Sequence, residues 1–276
     1  MSSFQFNPVT PHPLLRQYVE KMYVFESSGR LPELDNKLIV PNANFKLTLT
    51  YRNGIEARIA DKIIVQKQNE ISLSGLIDKP VILDPNEDSQ TGTIIIEFKP
   101  LGAYRLFHLP YSELKNQIIN LTDLLGSIAL KLQQQLEALG SVDLKLNMLQ
   151  QFLIRQLDRN TEDIIFDYCT KRITDSSGMI TIAKLEKETG YTARWLNKKF
   201  MEHLGSSPKN LCEIIRFKQF YQVYSSTQDP HALKGPIYHF YYDQSHFIRA
   251  FKRFTGFSPG VLQQSKNELA TKHYTS

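Results

Sequence analysis

The sequence has little of what marks the specialised classes of protein. Only two of its 276 residues are cysteine, Cys169 and Cys212. With no second thiol near either, there is neither a disulfide framework nor the paired spacing of a zinc site, and both read as small buried apolar residues. The seven histidines are scattered without a His-x-x-x-His pair, so no metal and no cofactor is expected. Apolar runs such as Ile63 to Val65 and Thr93 to Ile96 stop far short of the ~18 residues that a membrane-spanning helix needs. Met1-Ser2-Ser3-Phe4-Gln5-Phe6 carries neither a basic leader nor an apolar stretch, and a cytoplasmic location is expected. Also missing are a Ser/His/Asp spacing, a nucleophile elbow, a phosphate-cradling Gly loop and a carboxylate pair. No catalytic residue is nominated.

What is present is an ordinary globular composition, 41% hydrophobic and 22% charged, on a chain long enough for two domains of about 100 to 200 residues each. Its charge is unevenly placed. Residues 1–175 hold 19 Lys and Arg against 21 Asp and Glu, whereas residues 176–276 hold 14 against 7. A basic half calls for an anionic partner, nucleic acid first, with a membrane surface or an acidic protein as alternatives.

Periodicity divides the chain in the same way. Lys46 to Tyr51 alternates polar and apolar, Arg52-Asn53-Gly54 is a turn signal, and Ile55 to Ile59 resumes the alternation, which predicts a β-hairpin. Further β-branched runs at 63–65, 71–73 and 93–98 extend this to a small antiparallel sheet or barrel. After Pro100 the spacing becomes three and four, predicting helices at 101–109, 121–139 and 142–157. The Leu stripe from Leu121 to Leu139 suits either a core or a homodimer seam. Asp158 to Asp163 is a polar joint suited to cap a following helix. The expected fold is α+β: a β-rich domain with trailing helices over 1–158, an all-helical domain over 161–265, and a tail over 266–276.

The helical half repeats itself. At an offset of 51 residues Leu196 falls on Phe247, Lys198 on Arg249, Phe200 on Phe251, Gly205 on Gly256, Ser207 on Ser258 and Pro208 on Pro259. In each Gly-x-Ser-Pro, Gly ends a helix in the left-handed region, Ser caps the next, and Pro occupies its first position. Within each copy the apolar pair, Leu196 with Phe200 or Phe247 with Phe251, faces inward and leaves a polar, cationic face outward. Upstream, Ile182 to Thr189, the turn at Gly190 and the cap at Thr192 complete a helix-turn-helix pattern.

Residues 161–265, above all Tyr241-Tyr242-Asp243-Gln244-Ser245-His246-Phe247-Ile248-Arg249-Ala250-Phe251-Lys252-Arg253-Phe254-Thr255-Gly256-Phe257-Ser258-Pro259, resemble the tandem helix-turn-helix domain of AraC/XylS-type bacterial transcription regulators. Glu97 to Phe107, with Leu114 to Leu124 after it, is similar to an N-terminal domain often attached to them, for which the family implies no established ligand. The resemblance implies a sequence-specific regulator with double-stranded DNA as partner. RNA polymerase, an unidentified small-molecule effector and a second copy of the chain are further partners to consider. It places Arg194, Asn197 and Lys198 at the base-facing positions of the first recognition helix and Gln244, Ser245, His246 and Arg249 at those of the second. Thr192 and Lys199 match phosphate contacts, and Lys252 joins the DNA-facing set. Three departures stand out: Glu186 where a small Ala is usual, Phe240 where the second unit's turn Gly is usual, and Gly235-Pro236 at the start of its first helix.

Blander readings sit beside these. Trp195 reads as a packing residue, and the cluster of Tyr238, Phe240, Tyr241 and Tyr242 as packing for the second unit. Arg58, Glu97, Tyr104 and Arg105 read as surface ion pairs or as the lining of a small-molecule pocket. The alternatives to a regulator are a catalytic N-terminal domain fused to a DNA-binding module, and a scaffold for an acidic protein.

Overall fold

The computed structural model describes residues 3–28, 37–85, 90–107, 109–157, 163–226, 234–264, 269, 272 and 273. Strands β1 (Ser3–Pro8), β2 (Val19–Ser28), β3 (Leu38–Ile39), β4 (Phe45–Arg52), β5 (Ile55–Ile59), β6 (Lys62–Gln66), β7 (Ile71–Ser74), β8 (Val81–Pro85), β9 (Gln90–Phe98) and β10 (Ile118–Asn120) pair antiparallel throughout. They form a six-stranded sheet in the order β1-β2-β9-β4-β7-β10 and a four-stranded sheet in the order β3-β8-β5-β6. Helices α1 (Pro100–Leu106), α2 (Tyr111–Leu114), α3 (Leu121–Leu125), α4 (Ser127–Glu137) and α5 (Val142–Gln156) accompany the sheets. The rest is helical: α6 (Ile164–Asp175), α7 (Ile182–Thr189), α8 (Ala193–Leu204), α9 (Pro208–Ser226), α10 (Lys234–Phe240), α11 (Gln244–Thr255) and α12 (Pro259–Gln264). The fold is α+β, with an antiparallel β-rich N-terminal part and two helix-turn-helix units after it. Among the described residues no helix is long and apolar enough to cross a membrane.

Three sequence expectations change. β4 and β5 are not a hairpin: both hydrogen-bonding edges of β4 are taken, by β7 and β9. The turn at Asn53, which has φ +52°, therefore carries the chain to the second sheet. There β5 pairs with β6 and β8. The helix expected over 121–139 breaks at Gly126, whose φ is +57°, into α3 and α4. Its stripe lies largely in the core, with Leu121, Leu132 and Leu136 buried and Ile128 45% exposed. The helix expected over 101–109 ends at Leu106. The domain boundary expected between 158 and 161 lies outside the described residues. Of the expected tail, Leu269 joins Phe4, Phe25, Ile39 and Ile55 in a small apolar cluster, and His273 is buried against Phe6 and Tyr23.

One apolar core runs through both halves, from Leu47, Leu73 and Phe98 in the sheet, through Ala103, Tyr111 and Leu114, to Phe166, Phe200, Phe217 and Phe251 in the helices. The joint is α2 packed on α8. Residue 205, in the left-handed conformation at φ +65° that ends α8, has no room for a side chain: a Cβ there would lie 2.0 Å from the Tyr111 carbonyl oxygen. Gly190, at φ +76°, ends α7 in the same conformation but faces open space.

These two glycines separate backbone strain from packing. Gly190→Ala is expected to cost roughly 1 kcal/mol, the penalty for a side chain at positive φ. Gly205→Ala adds an overpacking cost of about 1–3 kcal/mol and pushes α2 off α8. Urea unfolding at pH 7 measures both, and equal losses for the two variants would refute the contact.

Candidate nucleic-acid interface

The second helices of the two units, with their caps and stops, coincide at the 51-residue offset. α8 is capped by Thr192, whose hydroxyl accepts the Trp195 N–H at 3.3 Å. α11 is capped by Asp243, whose carboxylate accepts the His246 N–H at 2.7 Å. They end at Gly205 and Gly256, both left-handed. Capping satisfies orphan backbone donors that the outward face would otherwise leave to water. Glu186, a departure from the family pattern, has a task here: its carboxylate accepts the Ala193 N–H at 2.5 Å, giving α8 a second cap. α10, at seven residues, is the short leading helix expected of the second unit.

Arg194, Asn197 and Lys198 are exposed on α8, and Gln244, Ser245, Arg249 and Lys252 are exposed on α11. Thr192 is exposed at its cap position, while His246 is half-buried with its ring edge-on to Tyr241 at 5.4 Å. Lys199 has a partner within the chain. Its ammonium lies 3.0 Å from Asp163 and 5.4 Å over the Trp195 ring, on the flank of α8 that faces α6. It is committed to an ion pair within the chain, because one helical step beyond Lys198 turns it from the outer face to the flank. Trp195 is a packing residue as expected, stacked on Tyr191 at 4.0 Å. The tyrosine cluster splits: Tyr241 is buried, whereas Tyr238 and Tyr242 are 69% and 93% exposed.

Of the four residues expected in a pocket or in surface pairs, Arg58 forms a surface pair with Glu56 and the other three do other work. Tyr104 stacks on His203 at 4.1 Å and meets Phe166 edge-on at 5.2 Å, and Arg105 pairs with Asp167, so both tie the N-terminal part to the first unit. Glu97 is buried and accepts from Tyr23 Oη at 2.9 Å, Asn42 Nδ2 at 2.9 Å and Asn44 Nδ2 at 2.8 Å, with Lys46 Nζ at 3.3 Å. Burial would raise its pKa, but the Lys46 charge and these donors hold it well below the carboxylate range. Arg58 stays exposed beside Glu56. Both cysteines are buried and pushed up to about 11 by that burial.

Sequence reasoning missed a polar contact at the second unit. Asp78, buried in the loop before β8, accepts from Asn116 Nδ2 at 2.8 Å, Lys115 Nζ at 3.0 Å, Asn210 Nδ2 at 3.1 Å and Arg253 Nη2 at 3.4 Å. No periodic signal marks an aspartate in a loop. Its partner Arg253 was visible, one turn beyond Arg249 on α11.

Residues 7–120 match a family described as "Domain of unknown function (DUF6597)". No curated protein matches the chain. Among solved structures, ToxT from Vibrio cholerae aligns at 12% identity over 95% of this chain and 97% of its own, with a TM-score of 0.46. Unsaturated fatty acid-bound ToxT from strain SCE256 of that organism aligns at 14% over 88% and 94%, with a TM-score of 0.45. The AraC-like transcriptional activator CuxR aligns at 14% over 72% and 77%, with a TM-score of 0.29.

Asp163 gives the first unit a measurable pH dependence. Burial would raise its carboxyl, but the Phe166 N–H, Lys199 and His203 outweigh that and hold it down to about 2, against an ordinary 3.8. A carboxyl with a depressed folded pKa stabilises above its unfolded value and loses that contribution as pH falls. The contribution at pH 7 is on the order of 2 kcal/mol, falling by about half at pH 3 and mostly lost by pH 2. Asp163→Asn should therefore be less stable than the parent at pH 7 and nearly equal at pH 2. A stability gap independent of pH would sink the assignment.

Proposed function

We propose that the chain is a sequence-specific double-stranded DNA-binding transcription regulator of the AraC/XylS type, with α8 and α11 entering successive major grooves. The observation that carries this is the duplication itself: two capped helices of equal length, 51 residues apart, each ended by a left-handed glycine and each presenting an exposed row of polar and cationic side chains. α9 joins the units and, at 19 residues, spans about 28 Å. The flanking helices bring that near the ~34 Å between successive major grooves on one face of a duplex.

In this reading Arg194, Asn197 and Lys198 on α8, and Gln244, Ser245 and Arg249 on α11, read base edges. His246 stands at the rim of the second set. Thr192 and Lys252 anchor the backbone, a role that the Asp163 pair takes from Lys199. The N-terminal part regulates through its contacts with both units. Its effector site would be the apolar cavity of about 100 Å³ between the two sheets, lined by Phe25, Ile55, Leu83 and Ile95 with Lys46 and Gln66 as polar groups.

The test begins by selecting bound sites from a random duplex library with the full chain. Arg and Asn make bidentate bonds to guanine and adenine edges worth about 1–3 kcal/mol of discrimination each. Arg194→Ala and Asn197→Ala should accordingly weaken the selected sites far more than random duplex. Lys252→Ala should weaken both alike and lower the salt slope by roughly one unit. Lys199→Ala should show up in unfolding measurements before it does in the salt slope. Equal losses on selected and random duplexes for Arg194→Ala and Asn197→Ala would remove the base-reading role from α8.

A further inference from the structure

The outer faces of α8 and α11 match in exposure and differ in chemistry. At the 51-residue offset Leu196 and Phe247 are both buried, as are Phe200 and Phe251, while Asn197 and Ile248 are both exposed, as are Lys198 and Arg249. The outward positions that hold Arg194, Asn197 and Lys198 in the first unit hold Ser245, Ile248 and Arg249 in the second. Two of these exchanges keep a hydrogen-bonding side chain. The third puts a branched hydrocarbon, which neither donates nor accepts, in the place of an amide.

Ile248 is 39% exposed and stands in the middle of a polar row. Gln244 lies one turn before it, Ser245 three positions before it and Lys252 one turn after it, all exposed, which sets the four on one face of α11. The inward side of the helix is made by Phe247, Phe251 and Phe254, all buried, and Ile248 is not on it. A lone aliphatic side chain at a protein surface is ordinary. This one occupies the position at which the other unit presents an amide, on a face suited to lie against base edges.

The chemistry of the major groove says what such a side chain selects. The edge groups there are hydrogen-bond donors and acceptors, apart from the C5–H of cytosine and the larger C5 methyl of thymine. An isoleucine set against the N7 and O6 of guanine or the N6 of adenine strips water from polar groups and returns no hydrogen bond. Against the thymine methyl it removes apolar surface from water on both sides of the contact. The same side chain therefore rewards thymine and discriminates against the purines.

We propose that Ile248 is a specificity-determining residue of the second unit, selecting thymine through its C5 methyl at the place in the half-site where Asn197 reads a base in the first. The proposal rests on the DNA-binding reading above. Unlike readers at equivalent positions make the two half-sites unlike, and an asymmetric site fixes the direction in which the chain lies along the duplex.

The experiment selects sites from a random duplex library with the full chain, then replaces each thymine of a selected duplex in turn by deoxyuridine. That exchange removes the methyl and leaves every hydrogen-bonding group in place. At one thymine, in the half read by α11, the parent is expected to lose about fourfold in affinity, the factor that one buried carbon supplies. Ile248→Asn, which places the first unit's residue at the same exposed position, should melt within about 2 °C of the parent. It should bind the thymine and deoxyuridine duplexes equally, and a new selection with it should enrich a base other than thymine at that pair. The pairing of the two changes isolates the contact from any effect of the methyl on duplex shape. The assignment is refuted if no thymine shows a methyl dependence that Ile248→Asn removes, or if the variant still enriches thymine there. Should Arg194→Ala and Asn197→Ala discriminate selected from random duplex in that case, the DNA-binding reading stands and the role of Ile248 alone falls. A library from which the parent enriches no site removes both.

Discussion

The backbone of Tyr111 rests against the end of α8 because residue 205 carries no side chain, and the arrangement of the molecule depends on that approach. A glycine there serves two demands at once. It adopts the left-handed conformation that stops the helix, and it lets a carbonyl from the N-terminal part come closer than any Cβ would allow. With α2 seated on α8, Phe166, Phe200 and Tyr104 become part of the core that begins in the β-sheet. The first unit is thus held to the N-terminal part through packing rather than through a tether of sequence.

The second unit is held by different chemistry. Around the first, Tyr104, His203 and Phe166 form an aromatic stack, and separating it exposes apolar surface to water. Around the second, contact runs through Asp78 to Asn210 and Arg253. Burial would raise the Asp78 carboxyl, but its Asn116 and Lys115 partners outweigh that and leave it lowered, so it bridges as an anion. The first contact is stabilised by buried apolar area and the second by hydrogen bonds to a buried charge.

Local signals were legible in the sequence and tertiary ones were not. The bounds of α7 and α8 fall where Thr192, Gly190 and Gly205 place them, because caps and left-handed stops act within a few residues. The exposed rows on α8 and α11 follow from helical spacing alone. By contrast the Asn53 turn looked like a hairpin, since nothing local says that both edges of β4 are already filled by strands from elsewhere. The pairing of Lys199 with Asp163 was not legible, because Asp163, far back in the chain, is invisible to a window centred on α8. Arg105 and Tyr104 were assigned to a pocket or the surface for the same reason: their partners, Asp167 and His203, are more than sixty positions away.

The duplication also explains where the two units are free to differ. Positions that set the frame, namely the N-cap, the two inward apolar residues and the glycine stop, keep their chemistry across the offset because the backbone requires it at both places. The flank facing the preceding helix carries no such requirement. There Lys199 gives way to Ala250 and Ile165 to Arg216, and the same backbone closes an ion pair in one unit and opens a basic cavity in the other. A repeat that keeps its frame and varies its flank holds two helices in the same local geometry while giving each different contacts behind it.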